Sequence, residues 1–397
     1  MGASDKAFEK REGAGIMYSL DRMEALMEEL GQPQNRCPVI HVAGTNGKGT
    51  VVTFIDRLIH EEGRKTAAFM TPSPGERHEQ LTSGGRPVSS GLFEEAVNLV
   101  LPAVEKVEET RGETISSFEL LTAVVFTAAA ELIKPDVLII EAGMGGRLDA
   151  TNVVRKPEAT IITSVGTDHA EFLGHTREAV AREKAGIMRP EVPCISACDE
   201  EADEWLRQEA ERIGAVWTPL PDDWTFTEPD LFTCREETAW LPIPGKHQAR
   251  NARAALAASE IFVKPKLSSL EKAEQPGRWE AFGPGIILDT AHNKEAVEAL
   301  CDTAARYPRV SFLTAVMRDK PVHQMVETMQ QLGEVTAAAM PDERGMTQEE
   351  WEKEFPGLPF TGDPHAWIRE KQRKLKYQEL LIVTGSHAFI RFIKNPQ

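Results

Sequence analysis

Residues 39–55, VIHVAGTNGKGTVVTFI, pass from a short apolar run through a turn with glycines at 44, 47 and 49 into a second apolar run with helical spacing. Glycines let a backbone turn tightly enough for several N–H groups to point at one anion, and the start of a helix presents its positive end to the same spot. That is chemistry for binding phosphate. Lys48 adds a point charge, and Thr50 can offer its hydroxyl to a magnesium ion bridging phosphates. The general phosphate-loop pattern is not met in full, because Gly49 follows the lysine where Ser or Thr is called for and Val42 stands where the first Gly would be. Gly44, Thr45, Asn46, Gly47, Lys48, Gly49 and Thr50 are candidate nucleotide ligands, against the plainer alternative of a glycine-rich strand-to-helix turn.

Other chemistry-bearing residues fall at the ends of apolar runs. Glu119 sits inside FELLTAVVF, where a carboxylate is costly unless it is paired, bound to a metal or turned to solvent. In EAGMGGRLDATN, residues 141–152, three glycines permit close approach to a ligand, and Arg147 and Asp149 place opposite charges in one loop. Asp168 and His169 follow the TSVG segment, where a neutral imidazole could ligate metal or simply be a polar surface group. Lys184, in AREKAGIM, reads by itself as a solvated helical lysine. Further on, Arg278 at a chain junction could contact phosphate on domain closure, and Asp289 in DTAHN could accept from ribose hydroxyls; a linker charge and a helix cap are the alternatives.

These residues need a scaffold of strands and helices to bring them together. Residues 18–30, 92–110 and 117–133 have helical spacing, whereas 66–70, 136–140 and 159–164 are short apolar runs suited to buried parallel strands. Residues 71–87, rich in Gly, Pro and Ser, predict an irregular loop. HQARNARAALAAS predicts an alanine-rich helix, and the polar stretch 264–277 marks a domain junction. A second alternation of strands and helices follows, through ILDTA, VSFLTAV and ELLIVTG. The expected fold is α/β, with a doubly wound, P-loop-type parallel-sheet domain over residues 1–275 and a smaller Rossmann-like domain over 276–397.

Composition narrows the partners. At 397 residues the chain is long enough for two cores, and 41% of it is hydrophobic. A net charge of −17 and a pI near 5.2 argue against nucleic acid and acidic membrane surfaces. The five cysteines complete no zinc pattern and read as reduced thiols. With no signal-like or spanning apolar segment, a cytoplasmic monomer is expected.

The segments GTNGKGT, SSFELLTA, EAGMGGRLDATN, TSVGTDHAEFLGHTREAVAREKAGI, GKHQARNARAA, PGRWE, LDTAHN and VTGS together resemble the folylpolyglutamate synthase/dihydrofolate synthase family of the Mur ligase superfamily. They occur in family order from about residue 16 to 390. The resemblance implies an ATP-dependent amide ligase. In such an enzyme a folate or dihydropteroate carboxylate is phosphorylated by ATP, and the acyl phosphate is attacked by the amino group of L-glutamate. It implies two magnesium sites, with Thr50 at one and Glu119 and His169 at the other, and it matches Lys184 to a lysine the family often carries as a carbamate. Lys48, Lys184, His169 and Arg278 would serve catalysis, and Asn251, Arg278, Asp289 and His292 would contact nucleotide. One departure stands out. TPSPGERHEQL, residues 71–81, replaces the family's Ser-Pro-His-Leu string with Ser73 and Pro74 at the last two places, in a loop that helps hold the pterin-bearing substrate. The same ligase chemistry on a non-folate acceptor, or a nucleotide-binding paralogue without catalysis, is therefore the alternative.

Overall fold

The computed structural model describes residues 3–11, 19–72, 75–167 and 170–395. Its first sheet has eight strands, with Val39–Ala43 near the centre between Val137–Glu141 and Ala159–Ile162, all parallel. Thr66–Phe69 continues the sheet on one side, and Pro193–Ser196 and Val216–Pro219 on the other, again in parallel. Central strands of this kind are buried on both faces and so read as unbroken apolar runs. Their side chains nevertheless alternate: Leu138 and Ile140 enter one core with Met23, Val100 and Val124, while Val137 and Ile139 enter another with Phe54 and Leu58.

The second core also receives the Lys48–His60 and Lys246–Ser259 helices, which pack side by side with Ala252 and Ala255 buried between larger residues. A three-stranded antiparallel sheet, Trp224–Thr227, Leu231–Cys234 and Glu237–Trp240, adds Phe232 and Ala239 to it. This small sheet has no counterpart in the expected element order. The helix read over 18–30 is Asp21–Glu29, and the one read over 117–133 runs from Ser117 to Thr127 before loosening into a wider turn to Ile133.

The loop expected over 71–87 is more ordered than its composition suggests. Among its described residues, Arg77–Gln80 forms a short turn, and Leu81–Ser83 pairs antiparallel with Arg86–Pro87 at the edge of the large sheet. Gly84 and Gly85, with φ of 60° and 73°, supply the two positive-φ residues that a two-residue hairpin turn requires.

A second sheet occupies the C-terminal part, in the order Glu280–Gly283, Ile286–Leu288, Glu379–Thr384, Arg309–Thr314, Gly333–Ala338 and Phe360–Thr361. Apart from the antiparallel first strand its pairings are parallel. The α/β expectation holds for both sheets, and ligands of such sheets gather at the carboxyl ends of the strands.

Candidate active site

The strand register decides what surrounds the glycine turn. Val42 is opposite Glu141 and Ala43 opposite Ile162, so the chain leaves the central strand beside a carboxylate on one side and the residue 163–166 segment on the other. Gly44 has φ +154°, and a Cβ there would lie 1.9 Å from Thr163 Oγ1; Gly47 has φ +86°, and its Cβ would meet the Asn251 side chain at 2.9 Å. The turn is fastened by Thr45 N–H to the Ser164 carbonyl (2.9 Å), Asn46 N–H to Ser164 Oγ (2.8 Å) and Thr163 Oγ1 to the Asn46 carbonyl (2.6 Å). Lys48 Nζ donates to the carbonyls of Gly44 and Thr45 and lies 3.7 Å from Glu141 Oε1. Thr50 is buried and donates to Gln275 Oε1 at 2.9 Å.

A cavity of about 120 Å³ opens over this turn, lined by Lys48, Glu141, Lys184, Arg278, His292 and His387 among others. Glu141 accepts from Thr71 N–H at 3.3 Å; burial raises its pKa, and Lys48 pulls the other way. Lys184, a solvated lysine by pattern, is 2% exposed. The reason lies in the glycines of 143–146. A Cβ on Gly146 would stand 2.9 Å from the Lys184 carbonyl, so the loop lies against the Arg177–Ala185 helix and covers it. Arg147 N–H donates to the Glu183 carbonyl, and its guanidinium pairs with the Glu183 carboxylate at 2.8 Å. Asp149 accepts from Met144 N–H, Thr151 N–H and Thr151 Oγ1. These two charged residues thus shape the loop.

Beside it lies a cleft of about 460 Å³, walled by Asn46, Gly47 and Asn251 from the first part of the chain and by Arg278, Trp279 and Asp289 from the second. Arg278 lines both spaces. Asp289 accepts from the N–H groups of Trp279 and Ala291 at 2.9 Å each, and burial raises its pKa against the opposing charge of Arg278, 4.0 Å away. Asn251 Nδ2 donates to Gln248 Oε1, and His292 Nδ1 lies 2.9 Å from the Thr290 carbonyl. Asn46 and Asn293 exchange side-chain hydrogen bonds at 3.0 and 3.3 Å, tying the glycine turn to the C-terminal part of the chain.

Two metal expectations fare differently. His169, with Asp168, lies outside the described residues. Glu119 does not line the cavity. Its carboxylate accepts from Arg22 Nε and Nη2 at 3.2 and 2.9 Å and from Ser116 N–H at 2.7 Å, closing a capping box at the start of its helix. It is the paired carboxylate of an apolar run, with both oxygens engaged by Arg22. The acid at the cavity is Glu141, which the sequence reading quoted but gave no role. Its signal was position: it ends the apolar strand run of residues 137–141. Gln275, Thr71 and His387 were also missed.

A parallel sheet whose central strand feeds a glycine-rich turn at a helix start, joined across a cleft to a second α/β sheet, is the scaffold of a nucleotide-dependent enzyme, and residues 42–259 match the family model of the Mur ligase middle domain. The chain is 32% identical to the dihydrofolate synthase/folylpolyglutamate synthase of Bacillus subtilis over 96% of its own length and 95% of the relative's. Among solved structures it is similar to Mycobacterium tuberculosis folylpolyglutamate synthase complexed with ADP (26% identity, 99% and 98% coverage, TM-score 0.88). It is also similar to Escherichia coli FolC in complex with DHPP and ADP (25% identity, 98% and 95% coverage, TM-score 0.86). The chain belongs to the dihydrofolate synthase/folylpolyglutamate synthase family.

Proposed function

We propose that this protein is an ATP- and magnesium-dependent ligase that joins L-glutamate to the carboxylate of a folate-type acceptor, dihydropteroate or tetrahydrofolate, through an acyl phosphate. The observation that carries this reading is the meeting at Arg278 of a nucleotide-sized cleft and a smaller cavity holding Lys48, Glu141 and Lys184. The cleft suits a nucleoside, with Asp289 facing ribose hydroxyls. The turn and Lys48 suit its phosphates. The γ-phosphate would then point into the cavity, where the acceptor carboxylate attacks it.

The residues present fit a divalent cation. Glu141, at the edge of the small cavity over the turn, is a buried carboxylate with a backbone donor at 3.3 Å and an ammonium at 3.7 Å, an arrangement that leaves it under-neutralised. Glu141, Thr50 and His169 are the residues we would assign to magnesium, and a carbamate on Lys184 would add an anionic oxygen pair beside them. Magnesium bound there would neutralise charge on the transferred phosphoryl group. The protein's own part is alignment: the loop amides and Lys48 fix the phosphates, Arg278 supplies positive charge from the second sheet, and the covered cavity excludes water from an acyl phosphate that would otherwise hydrolyse.

We read residues 1–275 and 276–397 as two domains, since the eight- and three-stranded sheets precede residue 275 and the six-stranded sheet follows it. Among the described residues no helix is long and apolar enough to cross a membrane, and five unpaired cysteines favour the reducing cytoplasm.

Phosphate release from ATP is the test, measured with magnesium and L-glutamate and with dihydropteroate, tetrahydrofolate or no acceptor, recording product masses. Acceptor-dependent release with a mass gain of one glutamate residue is expected. The departure at 71–81, where Arg77 stacks over Phe8 at 4.1 Å, favours a second reading in which the ligase chemistry serves a non-folate acceptor. ATP binding without turnover on either pteroyl substrate would favour that reading or a nucleotide-binding paralogue without catalysis over the folate ligase.

A further inference from the structure

His387 opens the last helix, His387–Lys394, directly after Ser386, whose hydroxyl caps it by accepting from Phe389 N–H. Its imidazole lines the small cavity with Lys48, Glu141, Lys184 and Arg278. Nδ1 of that ring is buried and has no hydrogen-bond partner among the described residues. A buried ring nitrogen without a partner is costly, and such groups persist where a ligand or a reaction uses the ring. His292 is the neighbouring imidazole, 5.6 Å away between ring centroids, but its Nδ1 is engaged by the Thr290 carbonyl.

We infer that His387 is the general base of the amide-forming half-reaction, taking a proton from the ammonium group of the incoming glutamate. The inference rests on the ligase reading above and adds a residue to it. Glutamate reaches the site as an ammonium ion and cannot attack until a proton is removed. His387 removes one. The freed lone pair forms the C–N bond at the acyl carbon, the C–O bond to phosphate breaks with its electron pair going to the leaving group, and a second proton departs with the phosphate. One hydrogen stays on the amide.

The surroundings suit the task. Burial of His387 first, and then the charges of Arg278 at the junction, His292 on the loop after Ile286–Leu288, Arg391 one turn along its own helix and Lys48 from the phosphate-binding turn, hold its pKa well below the ordinary histidine value; Glu141 and Lys184 line the same cavity. The free protein therefore presents an unprotonated imidazole. Anionic phosphates in the cavity offset Arg278 and Lys48, which strengthens the base when the acyl phosphate is in place.

The test compares glutamate with hydroxylamine, a nucleophile already unprotonated at neutral pH, in wild type, His387→Asn and His387→Leu. With glutamate, both variants should lose about 100-fold in turnover, and their residual rate should climb about tenfold per pH unit on the alkaline side as free amine accumulates. With hydroxylamine, acyl hydroxamate should form within about threefold of the wild-type rate, because nucleotide binding and acceptor phosphorylation do not use this ring. Equal losses with both nucleophiles, or no loss with glutamate, would overturn the inference. A wild-type protein that makes neither amide nor hydroxamate from either pteroyl substrate would instead overturn the ligase reading on which it rests.

Discussion

Glu119 and Glu141 are both buried acids, 6% exposed each, and their neighbours give them opposite work. Glu119 is matched by Arg22, with both side chains 7% exposed, so Glu119→Gln leaves a buried guanidinium without its counter-charge and should cost about 3–5 kcal/mol of stability. Turnover below the lowered melting temperature should stay near wild type. Glu141→Gln should do the reverse. Removing an under-neutralised buried charge leaves stability unchanged or raised, while ligation falls by about 100-fold or more. Melting curves and initial rates on the two variants check the pair, and an inactive but stable Glu119→Gln would reinstate that residue at the metal. Lys184 gives a second prediction at this scale. It is buried and lines the cavity, so Lys184→Ala should abolish metal-dependent turnover. If the lysine works as a carbamate, a small carboxylate in the buffer restores part of that turnover; undiminished activity of the variant would remove Lys184 from the site altogether.

The turn and the strands beside it set the scale of elements. Gly47 holds φ +86° with Asn251 packed where a Cβ would go, so Gly47→Ala both strains the backbone, by about 1–2 kcal/mol, and pushes the Lys246–Ser259 helix away from the turn. ATP affinity, followed by calorimetry, should fall at least tenfold, with a lowered melting temperature; unaltered affinity would mean that the turn is not the phosphate site. Much at this scale was legible in the sequence. DVLII and its fellows announced themselves because strands buried on two faces are apolar throughout, and the glycine turn because few other residues take its angles. Trp224–Thr227 and its two partners were not legible: each is four residues long, half exposed and mixed in polarity, and their apolar residues find cover only from the helix at 246–259 and the turn at 267–272, later in the chain. Lys184 was misjudged for a related reason. Local spacing gives a helix, but what covers that helix is a loop about forty residues earlier in the chain. Glu141 needed the register Val42 opposite Glu141, a fact of strand pairing that no local pattern contains.

At the scale of the whole molecule, buried ionisable groups make stability a function of pH. His41 lies in the central strand, fully buried, with Nε2 2.9 Å from Thr151 Oγ1, and burial together with the charge of Arg189 lowers its pKa to about 3. His247, in the larger cleft, is lowered to about 4 by burial and Arg278. Unfolded, each returns to about 6.5. Between that value and the folded pKa the unfolded chain binds a proton that the native protein does not, so stability is full above pH 6.5 and is lost as the pH falls, by about 1.4 kcal/mol per unit for each histidine. Asp56, Asp149, Glu141 and Asp289, all raised by burial, act in the opposite sense, because the native state then holds the extra proton. The sum over these groups hides each contribution, but a difference between two proteins isolates one. His41→Asn should be less stable than wild type at pH 7.5, where it loses the fit around Thr151. The deficit should then shrink by about 1.4 kcal/mol per unit as the pH is lowered from 6.5 toward 5, since only the wild-type unfolded chain gains that proton. Urea titrations of both proteins at pH 7.5, 6.5, 5.5 and 5 measure it, the carboxylate contributions cancelling in the difference. A deficit independent of pH would mean that His41 carries its proton inside the sheet, and the neutral imidazole in the strand that feeds the glycine turn would have to be abandoned.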